Sequence, residues 1–86
     1  AQGGAFSVFP NPTNGAFTID LNQVRIGDRD VLEVFDISGR RVYNEQLRAG
    51  ETIKQIDLSA QPVGAYFITI QQDQRVLREK LVIVRD

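Results

Sequence analysis

The chain has 86 residues, with 10 basic and 11 acidic side chains, a formal charge of −1, and no Cys, His, Met or Trp. That length holds one domain, and a domain this small buries only about 60–65% of the surface of its unfolded chain, so its core is thin and no disulfide reinforces it. The balanced charge argues against a nucleic-acid partner, which would need a basic face. The missing His and Cys remove the usual base and nucleophile of a catalytic triad, and no apolar run approaches the roughly 20 residues of a membrane-spanning helix.

Residues 1–5, Ala1-Gln2-Gly3-Gly4-Ala5, are small and unpatterned, and read as the end of a linker from an upstream domain; residues 6–86 form the domain itself. No signal peptide opens the sequence, so an inner-membrane signal is expected upstream. A short strand is predicted at Phe6-Ser7-Val8-Phe9. Phe9-Pro10-Asn11-Pro12-Thr13-Asn14-Gly15 follows as a rigid corner: two prolines remove two backbone donors and fix φ twice, and Asn14-Gly15 turns the chain. Phe17, Ile19 and Leu21 then alternate on one face of a half-buried strand.

Val31 to Asp36 is apolar on both faces and fits a central strand, whereas Arg40 to Leu47 is more polar and fits a position near an edge. Asp36-Ile37-Ser38-Gly39-Arg40 between them fits a hairpin turn with a left-handed Gly39. Arg48-Ala49-Gly50-Glu51 predicts a second hairpin with Gly50 in the same role. In Thr52 to Leu58, Ile53 falls on the opposite face from Ile56 and Leu58, which a bulge or a short strand would explain. Leu58 to Gly64 is long enough to cross from one sheet to another. Tyr66, Ile68 and Ile70 alternate in the next strand, Gln72-Asp73-Gln74 separates the last two, and Leu81 to Val84 places the end of the sequence inside a strand. About seven short strands with turns every 8–12 residues indicate an all-β sandwich or barrel, with the first and last strands near sheet edges.

Four blocks carry a family resemblance. Phe9-Pro10-Asn11-Pro12-Thr13 with Gly15 resembles the opening of the type A C-terminal sorting domain of type IX (Por) secretion cargo. Val34-Phe35-Asp36-Ile37-Ser38-Gly39-Arg40-Arg41-Val42 resembles its second block. Ile56-Asp57-Leu58-Ser59 with Pro62-Val63-Gly64-Ala65-Tyr66-Phe67-Ile68 resembles its third, and Arg78 to Arg85 its terminal block. Each block alone is short; all four, in order and at the family's spacing, make the match specific. The resemblance implies an immunoglobulin-like sandwich of about seven antiparallel strands. It also implies a sorting signal that takes an attached cargo protein across the outer membrane of a Gram-negative bacterium, through the periplasm to the cell surface or beyond. Its partners would be the upstream cargo and the outer-membrane type IX machinery. In many members a cell-surface sortase then removes the domain.

No cofactor, metal or small-molecule substrate is expected, and no catalytic residue. Recognition is assigned to the C-terminal strand: Lys80, Leu81, Val82, Ile83, Val84 and Arg85, by main-chain pairing with a partner's sheet edge. The motif residues Pro10, Asn11, Pro12, Gly15, Asp36, Gly39, Arg40, Gly64 and Tyr66 read as structural. The prolines guard an edge, the glycines supply positive φ, Asp36 accepts from the amides of its own turn, and Tyr66 is a core residue with its hydroxyl tied to backbone. Asp28 and Asp30 supply too few oxygens for calcium. The alternative is a fibronectin-like carbohydrate-binding or adhesion module, for which Tyr43, Phe35 and Phe67 are the available surface aromatics. A passive spacer is the third reading.

Overall fold

The computed structural model describes residues 6–85, so the expected linker at 1–5 lies outside the described residues. Seven strands follow in order: β1 Ser7–Phe9, β2 Ala16–Asp20, β3 Val31–Asp36, β4 Arg41–Gln46, β5 Ile53–Asp57, β6 Gly64–Gln72 and β7 Arg75–Ile83. They form two antiparallel sheets, ordered β1-β2-β5 and β4-β3-β6-β7, the sandwich expected from the period-2 pattern in the immunoglobulin-like form that the family resemblance implies. β3 is central, and β1 and β7 lie at sheet edges, as their sequences predict.

The alternation sorts side chains cleanly. Phe17 and Ile19 of β2, Leu32 and Val34 of β3, Ile56 of β5, Tyr66, Ile68 and Ile70 of β6, and Leu81 and Ile83 of β7 meet in one core. Leu21, Val24, Ile26 and Leu47 close it at one pole. At the opposite pole the Tyr66 hydroxyl donates to the Pro62 carbonyl at 2.6 Å, four residues upstream. This tyrosine corner pins the start of β6 to the crossover before it.

Two sequence expectations need correction. Arg48 to Glu51 does turn tightly, with Glu51 N–H donating to Arg48 C=O at 3.1 Å and Gly50 at φ 83°. The strands on either side, however, belong to different sheets, so this is an arch between layers and not a hairpin. Local turn chemistry is the same in both cases; what differs is where β5 finds its partner, which is β2. Nor does β5 carry a bulge: it pairs with β2 in unbroken register. The irregularity sits in β4 instead, where Val34 opposes Tyr43 and Phe35 opposes Arg41, leaving Val42 as the extra residue. Val42 and Tyr43 consequently both pack against the core.

Ile53 is exposed because Lys54, not Ile53, takes the inward position, opposite the fully buried Ile19. A lysine can occupy it because it lies at the open side of the sandwich, within reach of β4. Its ammonium pairs with Glu45 and, at 3.0 Å, with Glu51, while the Tyr43 hydroxyl donates to Glu45 at 2.6 Å. The Lys54–Glu45 pair therefore straps β5 of one sheet to β4 of the other. Hydrogen bonds from Lys54 and Tyr43 lower the Glu45 pKa below its ordinary 4.5, and the bond from the Arg48 amide lowers that of Glu51. The Glu45 partner raises Lys54 above 10.5. Burial first, and then the bond to Glu45, pushes Tyr43 up from 10.0 to about 12.

These directions fix the pH response. The lowered carboxylates contribute stability that is present above pH 4.5 and lost as pH falls through their folded values. The raised Lys54 and Tyr43 contribute stability that is present below their ordinary values and lost as pH rises, for Tyr43 between 10.0 and about 12. Urea midpoints measured across pH should therefore fall on both sides of a neutral plateau. Tyr43→Phe should flatten the alkaline branch and keep an acid branch. Superposed alkaline curves for Tyr43→Phe and the parent would show that Tyr43 does not carry the alkaline loss.

Candidate functional site

The register of the two sheets brings the four sequence blocks to a single pole. β1, β3, β5 and β7 end there, and β2, β4 and β6 begin there. The turn at Asp36 to Arg40, the crossover from Leu58 to Gly64, the proline corner and the last residues of β7 are neighbours in space although far apart in sequence. Ser7 lies at the opposite pole, where it pairs with Asp20.

The proline corner sits at a sheet edge. It lies along the outer edge of β7. The Asn11 side chain donates from Nδ2 to the Lys80 carbonyl at 2.7 Å and accepts at Oδ1 from the Val82 amide at 3.0 Å. One side-chain amide thus makes both bonds that a backbone peptide of a neighbouring strand would make. Thr13 continues the pairing with its own backbone. Its N–H donates to Val82 C=O at 2.9 Å, and its C=O accepts from Val84 N–H at 2.8 Å, a parallel bridge. Pro10 and Pro12 have no N–H to offer, so the backbone N–H groups between residues 10 and 13 come from Asn11 and Thr13 alone. The Phe9-Pro10 and Asn11-Pro12 peptide bonds are cis. Thr13 itself is buried, and its hydroxyl accepts from Gly15 N–H at 3.1 Å.

Gly15 joins this corner to the third block. Its φ is 135°, and a Cβ there would stand 2.7 Å from Ser59 Cα and 2.9 Å from Ser59 N. Gly15 C=O accepts from Leu58 N–H at 2.8 Å, and the Arg85 guanidinium donates to the Ser59 carbonyl at 2.7 Å. Corner, crossover and C-terminal segment are therefore bonded to one another. Asp57 caps the crossover by accepting from the amide and hydroxyl of Ser59, which lowers its pKa from 3.8.

Asp36 organises the neighbouring turn. Its Oδ1 accepts from Ser38 N–H at 3.0 Å, Ser38 Oγ at 2.7 Å and Arg40 N–H at 2.9 Å, and Arg40 Nε stands 3.2 Å from Oδ2. The Ser38 hydroxyl is the largest cause of the lowered Asp36 pKa. Gly39 and Gly64 sit at φ 91° and 145° with open space around them, so there the backbone conformation alone requires glycine.

Of the residues assigned to recognition, Lys80 to Ile83 divide between the two faces of β7, while Val84 and Arg85 follow its end at Ile83 and are not part of the strand. Leu81 and Ile83 are buried in the core. Lys80, Val84 and Arg85 are exposed, and Val82 is half-buried on the outer face. Of the six exposed large hydrophobic side chains among the described residues, Phe9, Ile37, Val63 and Val84 lie at this pole, and Ile37 is 79% exposed. The Arg40 and Arg85 guanidinium groups belong to the same pole. Asp28 and Asp30 are engaged elsewhere: Asp28 accepts from Ala49 N–H at 2.8 Å, and the buried Asp30 accepts from Gly27 N–H at 2.9 Å and Gln72 Nε2 at 2.7 Å. Tyr43, Phe35 and Phe67 are each half-buried.

A family model described as a secretion system C-terminal sorting domain matches residues 7–84. No curated protein sequence matches the chain.

The two kinds of glycine at this pole separate by experiment. Gly39→Ala meets only backbone strain, on the order of 1–3 kcal/mol. Gly15→Ala meets the same strain and a clash with the Ser59 backbone. In urea denaturation Gly15→Ala should lose clearly more stability than Gly39→Ala; equal losses would show that the corner does not pack on the crossover.

Proposed function

Because the chain belongs to the secretion system C-terminal sorting domain family of the type IX pathway, we propose that its residues 6–86 carry a cargo, attached upstream, from the periplasm across the outer membrane of a Gram-negative bacterium. The domain serves as an address, with no reaction of its own. The observation that carries this reading is the family match over residues 7–84, whose four blocks gather at one pole. Cargo attached before Ser7 would trail from the opposite pole and leave the motif pole free for the export machinery. At the cell surface, a sortase acting on the segment before Ser7 would meet chain on the side away from that contact, so removal of the domain fits the same geometry.

Within the pole we assign recognition to the accessible part of the C-terminal segment: Lys80, Val82, Val84 and Arg85, with Leu81 and Ile83 holding it on the core. Lys80 and Arg85 supply charge, and Val82 and Val84 supply apolar contact. The structural residues Asp36, Gly39, Gly64 and Tyr66 shape the neighbouring turn and crossover against which a partner would rest.

The test fuses residues 1–86 behind a reporter bearing an inner-membrane signal, in a host with the type IX machinery. The reporter should reach the surface or the medium. Lys80→Gln with Arg85→Gln, which keeps most of the buried apolar area, should reduce export severalfold while the melting temperature of the isolated domain moves little. Parental export by that double variant would remove these side chains from the recognition surface.

A further inference from the structure

β7 runs for nine residues, but the proline corner covers only its C-terminal half. Backbone groups alternate along an edge strand, one residue facing its partner and the next facing out. The bonds from the corner reach Lys80, Val82 and Val84, so the even-numbered residues face out and the odd-numbered ones pair with β6. By the same alternation Val76 and Arg78 present N–H and C=O outward. Among the described residues no backbone or side-chain group bonds to them there. Their side chains are exposed, Val76 at 57%.

The charge around this open edge is one-sided. Arg78 lies over the Phe67 ring, 5.7 Å from its centroid, and neither Arg78 nor Lys80 forms an ion pair among the described residues. Both project on the outer face of the four-stranded sheet, next to Phe67 and Thr69 of β6. By contrast, Arg40 and Arg41 on the far side of that face are neutralised by Asp36 and Glu33.

We infer that the open edge at Val76 to Arg78 is a docking strand for an extended segment of a partner protein that carries acidic side chains toward Arg78 and Lys80. Main-chain bonds to Val76 and Arg78 would hold such a segment, and the Phe67–Arg78 surface would select its acidic and apolar residues. The corner fixes where the added strand stops, because beyond Lys80 the edge is already occupied. This rests on the sorting reading in that the partner is taken to be part of the export machinery.

The experiment again uses the reporter fusion. Arg78→Pro removes the outward N–H without breaking any bond to β6, and proline is tolerated on an edge whose N–H faces solvent. Arg78→Glu keeps the backbone donor, reverses the charge, and as a surface change leaves folding near parental. Both should lower export by about tenfold or more, the loss that accompanies about 1.4 kcal/mol of binding, and Arg78→Glu should do so with an unchanged melt. If the parent fusion is exported and Arg78→Glu matches it, the docking edge is refuted while the sorting reading stands, and basic residues here only discourage edge-to-edge association. A parent fusion retained inside the cell would overturn the sorting reading and the docking edge together.

Discussion

An edge strand exposes a row of backbone donors and acceptors that must bond to something or be left to water and stray strands. β7 has this problem over nine residues, and its outer side has no further strand. The corner solves it for the C-terminal half with minimal chain. The Asn11 amide replaces one peptide unit of a missing strand, and the Thr13 backbone supplies the next. A regular strand in that place would have continued past Lys80 and covered Val76 and Arg78 as well. The chain before the corner instead leaves β7 to pair with β2 as β1, so Val76 and Arg78 stay uncovered.

The rest of the pole is arranged around that contact. With the corner held on β7, Gly15 is carried so close to Ser59 that no side chain fits, and the crossover is fixed in turn by Tyr66 bonding to Pro62. Asp36 and Asp57 satisfy their own turns, so the exposed chemistry of the pole is left to Ile37, Val63, Val84 and the guanidinium groups. A motif that looks in sequence like four unrelated fragments is, in space, one bonded assembly with a surface of its own. The opposite pole, closed by Leu21, Val24, Ile26 and Leu47, holds Ser7 and none of the motif residues.

Much of this was legible beforehand. Strands that alternate strictly, such as Phe17-Ile19-Leu21 and Tyr66-Ile68-Ile70, declare their faces, because burial on one side of a pleated strand imposes period 2. The Asp36 to Gly39 turn was legible because its chemistry is local. What could not be read is non-local. The Arg48 to Glu51 turn looks the same whether the next strand pairs with β4 or leaves for the other sheet. Lys54 in an inward position contradicts the simple rule for charged residues, and only the mismatch of Ile53 with Ile56 and Leu58 hinted at it. The Asn11 contacts join residues 69 and 71 positions apart, and no spacing announces them. The one available signal was donor scarcity: a segment with two prolines can offer few N–H groups, so Asn11 and Thr13 were the residues to examine. Val76 and Arg78 were missed because an open edge is defined by what does not pair with it.

Amide hydrogen exchange on the isolated domain tests the central claim most directly, since it reads the β7 edge residue by residue. The account predicts that the Val82 and Val84 amides are protected while the Arg78 amide exchanges freely. It further predicts that Asn11→Ala releases Val82 and leaves Val84, which is held by Thr13, protected. If Val82 and Arg78 exchange alike in the parent protein, the corner does not cover β7 and the account is contradicted.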